Sequence, residues 1–197
     1  MTMTTVEEGP GWRIDEDDHP HTVVPYYGVV HEDGARNHGF VDLRDQPELA
    51  EHIPELSRSP GLTDFVKAVN ERGSPLMSIG CDCGLFPVDD ARPGEPTCYI
   101  GSYVDVTFRD ASRNAVATNL VNLAKVLLAR VAVSQQHHFN FHMIVERLKG
   151  FWGLPGRYSL MVKTCGFGRS EENAWDALDH AAFAMAAACR NYRRGAE

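Results

Sequence analysis

TCYIGSYVDVTFR, residues Thr97 to Arg109, alternates along its whole length. Ile100, Ser102, Val104, Val106 and Phe108 fall on one side; Tyr99, Gly101, Tyr103, Asp105 and Thr107 fall on the other. A two-residue period of this kind marks a strand with one face buried and the other partly wet. On its N-terminal side, Leu76 to Phe86 is a second strand-like run. The link between them, Pro87 to Pro96, has three prolines and one glycine among charged residues, a loop composition. Together they predict a long hairpin.

Beyond Arg109 the pattern changes period. Asp110 is in position to cap a helix over Ser112 to Ser134, with Val116, Leu120, Leu123, Leu127 and Val131 on one face. A second helix is predicted from Gln136 to Phe151, with Phe141, Ile144 and Leu148 on its apolar side. Gly153-Leu154-Pro155-Gly156 ends it, and Tyr158 to Phe167 reads as a strand. Ser170 caps a last helix from Glu171 to about Tyr192, with acids first and arginines last to suit the helix dipole.

Before the hairpin, Leu62 to Arg72 predicts a helix with Thr63 as its cap, and Pro47 to Ile53 a shorter one. Val23 to Val30 reads as a strand placed at an edge or bulge by Pro25. A short strand near Phe40 to Leu43 is also expected. Residues 1–18 are polar and acidic and are expected to form a mobile segment. The remaining 19–197 form one α+β domain: an antiparallel or mixed sheet built around the long hairpin, with two or three long helices packed on one face.

Composition narrows the function classes. A chain of 197 residues buries about 70% of its unfolded surface, so it needs neither disulfide nor metal to fold. The formal charge of −8 argues against binding nucleic acid or an anionic membrane surface. Five cysteines, an odd number, and a Thr-, Glu- and Asp-rich N-terminus fit a reducing compartment, and the expectation is cytoplasmic.

Four groups of residues could carry chemistry. His138, His142 and Glu146 recur every fourth residue, so on a helix they would line one face and offer ligands for zinc or iron. Cys81 and Cys83 share a strand face, with Cys98 on the paired strand as a possible third thiolate. Only one residue separates the first two, where structural zinc sites place two to four. Asp18-His19-Pro20-His21 is a third polar group. Gly168-Arg169-Ser170 leads from a strand into a helix N-terminus, where unpaired amides favour an anion, although Glu171 and Glu172 oppose one.

No nucleophile elbow and no phosphate-binding loop is present. The first expectation is therefore a non-catalytic binding or interaction domain for a small molecule or a protein partner. A homodimer would suit the small residues Ala181, Ala184, Ala186, Ala187 and Ala188, which let another helix approach. The alternative is a metal-dependent enzyme or metal-binding protein using the His/His/Glu set with the cysteines.

Overall fold

In the computed structural model, which describes residues 3–30, 32, 34, 36–131 and 138–194, the hairpin is present as β6 (Leu76–Pro87) and β7 (Cys98–Phe108), paired antiparallel. The other strands are β1 (Met3–Gly9), β2 (Trp12–Asp17), β8 (Phe139–Leu148) and β10 (Arg157–Gly168), with the two-residue pieces β3 (Val23–Val24), β4 (Val29–Val30), β5 (Arg36–Asn37) and β9 (Gly150–Phe151). The helices are α1 (Pro60–Asn70), α2 (Ala117–Arg130) and α3 (Glu171–Arg194). Six strands form one sheet in the order β1-β2-β8-β10-β7-β6. All its pairings are antiparallel except β2 with β8, so this is an α+β fold with a mixed sheet.

All three helices bury their apolar stripes against one sheet face. Phe65 of α1, Leu120, Leu123 and Leu127 of α2, and Leu178 and Met185 of α3 form one cluster with Ile100, Val104, Val106, Met143, Val145, Leu160 and Val162 of the sheet. Each such side chain contributes about 1.5–3 kcal/mol when fully withdrawn from water. A side chain at Gly166 would collide with the backbone of Ala174 and Leu178, and one at Gly61 with the backbone of Asp179. These two glycines set how closely α3 lies on β10 and α1 on α3. The alanines serve the same approach: Ala181, Ala186 and Ala188 are buried within the chain, while Ala187 is exposed.

Several expectations are corrected. Residues 3–17, expected to be mobile, supply β1 and β2, and Ile14 is wholly buried in the core. The predicted helix from Gln136 to Phe151 is instead β8 and β9, its first two positions lying outside the described residues. Phe141, Met143 and Val145 point into the helix-covered core, which is strand alternation. The helix expected over 112–134 spans only Ala117–Arg130, ended by an extended Val131; residues 132–134 lie outside the described residues. Asp110 does not cap it: the Asp110 carboxylate accepts from the Ser112 amide (2.9 Å) and hydroxyl (2.7 Å) in the turn before it. In α1 the cap is Ser59 rather than Thr63, with Ser59 Oγ accepting from the Leu62 amide at 3.0 Å. Ser170 caps α3 as expected, its Oγ accepting from the Asn173 amide at 3.3 Å.

The second sheet face carries no helix. A smaller apolar cluster, Val24, Met77, Ile79, Leu148 and Phe151, with Phe40 and Ala111 packed on it, covers part of that face. It ties the segment after β2 to the sheet. Among the described residues, no helix is long and apolar enough to cross a membrane.

Candidate functional site

Strand alternation places an ordered grid of polar side chains on this helix-free face. Asp17 lies opposite Glu146, and Glu146 opposite Ser159. One row on, Asp15 lies opposite Ile144, Ile144 opposite Met161, Met161 opposite Asp105, and Asp105 opposite Gly80. The next row runs Arg13, His142, Lys163, Tyr103 and Asp82. Asp15, Asp17, Asp105 and Glu146 are all buried, an unusual concentration of carboxylates for a sheet interior.

These acids differ in how they are held. Asp15 Oδ2 bonds His142 Nε2 at 2.6 Å and Asp15 Oδ1 accepts from Arg13 Nε at 2.7 Å. Burial works to raise Asp15, and the Arg13 and His142 bonds overcome it, so the group sits below the usual carboxylate range. Asp17 is lowered by the His19 amide, which donates to it at 2.9 Å, and by His21. Asp105 has no such support: its buried Oδ1 has no hydrogen-bond partner among the described residues. Burial, reinforced by Glu146, pushes Asp105 up to about 8, with Lys163 opposing the rise. Glu146 is raised by burial as well. The hydroxyls of Thr107 and Ser159, both wholly buried, are likewise unpartnered.

Beside Asp105 the hairpin is irregular. Between Ser78 and Gly80 the β6 register shifts, so that Ile79 and Gly80 together face the position of Asp105. A bulge of this kind bends a strand and re-aims its side chains. Here it opens a cleft of about 450 Å³ between the free edge of β6, the segment 37–43 and the turns at 52–55. Phe40, Val41, Leu43, Ile53 and Ile79 give the cleft an apolar wall. Its polar side chains include Tyr26, Tyr103, His38, His52, Glu55 and Asp82, with Asn37 and Ser78. His38 Nδ1 bonds Glu55 Oε1 at 2.7 Å across the rim.

Gly80 marks where these groups converge. A Cβ there would stand 3.3 Å from Tyr26 Oη, 3.6 Å from Asp105 Oδ2 and 3.9 Å from Tyr103 Cε2. Tyr26 Oη closes tightly over the glycine, so a side chain there would press on it. Burial pushes the Tyr26 hydroxyl up to about 12 and raises Tyr103, so both stay protonated and can donate.

The residues singled out in the sequence are dispersed by this arrangement. His142 and Glu146 share the outer side of β8, but four residues of strand separate them by about 13 Å. His142 is engaged by Asp15, and His138 is exposed, its carbonyl accepting from the Phe167 amide at 2.8 Å. Cys81 lines the cleft and lies opposite Val104, six residues along β7 from Cys98, or about 20 Å. Cys83 Sγ donates to the Glu55 carbonyl at 3.0 Å, and Cys98 Sγ to that of Gly168 at 3.7 Å. Burial pushes Cys81 up to about 12 and Cys83 to about 11, far from the thiolate form that reacts or binds metal. Among the described residues, no three His, Cys, Asp or Glu side chains gather closely enough to hold a metal ion. At the start of α3, Arg169 donates to the Gly94 carbonyl and Ser170 is used as the cap, while Gly168 lies under the helix.

Neither a family model nor a curated protein nor a solved structure matches the chain. The functional reading therefore rests on the geometry of the cleft. Of the cleft-side groups, the sequence singles out Cys81, and it shows Asp105 and Tyr103 only as positions on the wet face of the alternating strand.

Proposed function

We propose that this chain is a non-catalytic binding domain whose ligand is a small molecule held in the cleft at the β6 bulge. The observation that carries the reading is Asp105, a buried acid whose Oδ1 has no partner among the described residues and which stands behind Gly80 of the cleft wall. Pockets for small molecules fall at about 300–1,000 Å³ and combine apolar walls with a few convergent polar groups. The volume of about 450 Å³ and the mixed lining fit that description. Unpartnered polar groups in an interior are costly, and a ligand group that bonds them recovers that cost.

Among the described residues, the cleft assembles no nucleophile with its base, which supports binding rather than turnover. The Cys81 thiol is held protonated, and the cleft histidine with a defined partner is spent on Glu55. The test is thermal denaturation of the protein against a library of small polar aromatics, in the native sequence and in Gly80→Leu. Ligands that raise the melting temperature of the native protein, and lose at least most of that effect in Gly80→Leu, support the cleft as the site. Equal stabilisation of both proteins, or no stabilisation by any compound, contradicts it.

A further inference from the structure

We infer that the ligand of this cleft carries a positively charged ammonium group on an apolar body, with the ammonium seated against Asp105 beside Tyr26 and Tyr103. This rests on the small-molecule reading given above. Three observations converge on it. The first is the sign of the lining. Asp82 and Glu55 line the cleft and Asp105 stands behind Gly80, whereas no lysine or arginine is among the described residues that line it. Its basic groups are His38 and His52, and His38 is already on Glu55. Among the described lining residues, an anionic ligand would meet carboxylates and no lysine or arginine.

The second is Asp105, more than nine-tenths buried, whose Oδ2 lies by Gly80 and whose Oδ1 has no partner among the described residues. An ammonium is a donor with three N–H groups and no acceptor, and the converging Asp105 carboxylate and Tyr26 oxygen are both able to accept from it. The third is aromatic. Tyr26, Phe40 and Tyr103 stand around the same space, and ring faces attract desolvated cations. The apolar wall of Val41, Leu43 and Ile53 would cover the ligand's hydrocarbon part.

The same geometry predicts a proton balance. Asp105 is faced by Gly80, Tyr26, Cys81 and Tyr103 on the cleft side, and by Glu146 and Lys163 across the sheet. Asp82, Glu55, His38 and His52 lie further out. Lys163 lowers Asp105 without bonding its buried oxygen. Free protein at neutral pH carries Asp105 as the neutral acid, because its midpoint is about 8. An ammonium arriving beside it expels that proton: the neutral acid and the ammonium give an ammonium–carboxylate pair and one released proton. Below pH 8 the affinity should therefore rise about tenfold for each pH unit and level off above it.

The experiment is calorimetric titration of the full chain with phenethylamine, 2-phenylethanol and phenylacetate, with amide NMR shifts at Gly80, Tyr26 and Tyr103 recording the place of binding. Phenethylamine is expected to bind at these residues at least tenfold more tightly than 2-phenylethanol, with phenylacetate weakest, and to release close to one proton at pH 7. Asp105→Asn should weaken the amine at least tenfold and leave the alcohol unchanged. If the alcohol or the acid binds there as tightly as the amine, the ammonium inference is overturned while the cleft reading stands. If none of the three shifts these amides, both fall. Should Asp105→Asn not fold, Glu55→Gln with Asp82→Asn provides the second arm: weaker amine binding supports the inference, and unchanged binding counts against it.

Discussion

The two faces of the sheet differ in whether every buried polar side chain is partnered. On the helix-covered face each is answered. Asn114 takes the Phe108 amide at 3.0 Å and gives to the Phe108 carbonyl at 2.8 Å. Asn70 gives to the Val66 carbonyl (2.8 Å) and Ser78 Oγ (2.7 Å) and accepts from the Ser78 amide at 3.2 Å. Ser102 donates to the Thr164 carbonyl at 3.2 Å. On the helix-free face Asp15 and Asp17 are paired, but Asp105 Oδ1, Thr107 Oγ1 and Ser159 Oγ are buried without partners among the described residues. Folding alone accounts for the first set, because a satisfied buried amide fixes a turn or a strand end. It does not account for the second set, which costs stability in the free protein. A polar group kept where it destabilises points to a role outside folding, and the cleft beside Asp105 supplies one.

That contrast makes substitutions on the two faces differ in size and in sign. The largest effect belongs to the helix-covered face. Gly166→Val drives a branched side chain into the backbone of α3 and should cost about 4 kcal/mol or prevent folding, read from the midpoint of urea unfolding. Asn114→Ala leaves a buried amide and carbonyl of Phe108 unpaired and should cost about 2–3 kcal/mol in the same measurement.

On the other face the direction reverses. Asp105 is raised from 3.8 to about 8, so the folded protein holds a proton that the unfolded chain has lost. Its contribution to stability is fully present below about pH 4 and drains away as pH rises to about 8, by at most about 1.4 kcal/mol per pH unit. Asp105→Asn removes that slope. The variant should gain on the native protein steadily from pH 5 to pH 8 when unfolding curves are compared, and a constant difference would break the comparison. The smallest effect is expected for Ser159→Ala, where a hydroxyl with nothing to bond is exchanged for a methyl: stability should change by less than about 0.5 kcal/mol or rise. A loss like that of Asn114→Ala would show that the two faces do not differ as described.

The sequence carried the hairpin, α1, β10 and α3 in plain form, because each is a single local period with a recognisable end. β8 was hidden by its surroundings. Ile144 and Leu148 face the helix-free side but are buried there, so apolar residues occur on both sides of the strand and mimic helical spacing across Phe141, Ile144 and Leu148. One of its two partners is also remote: β2 pairs with it in parallel from more than a hundred residues away. The acidic segment 3–17 reads as mobile for a related reason. Its acids fall on both sides, Asp15 and Asp17 on the helix-free face and Glu7 and Glu16 on the other, and only Ile14 and Trp12 mark the side that packs on the core.

The cleft was less legible than the fold. Its walls come from Tyr26, the 37–43 segment, the 52–55 turns, β6 and Tyr103, and no local spacing announces that these meet. The alternation of β7 did place Tyr103 and Asp105 on one face, and that face is the one that matters. The bulge that opens the space depends on one extra residue, Ile79, in a run where either register satisfies the hydrophobic pattern.

The central claim is that Asp105 is a buried acid held neutral beside an open cleft, and its own titration tests this most directly. The side-chain carboxyl carbon of Asp105, followed by NMR in the free protein from pH 3 to 10, should move with a midpoint near 8. A midpoint in the usual carboxylate range, near 4, would mean that Asp105 is solvated or paired, and the difference between the two faces would lose its basis.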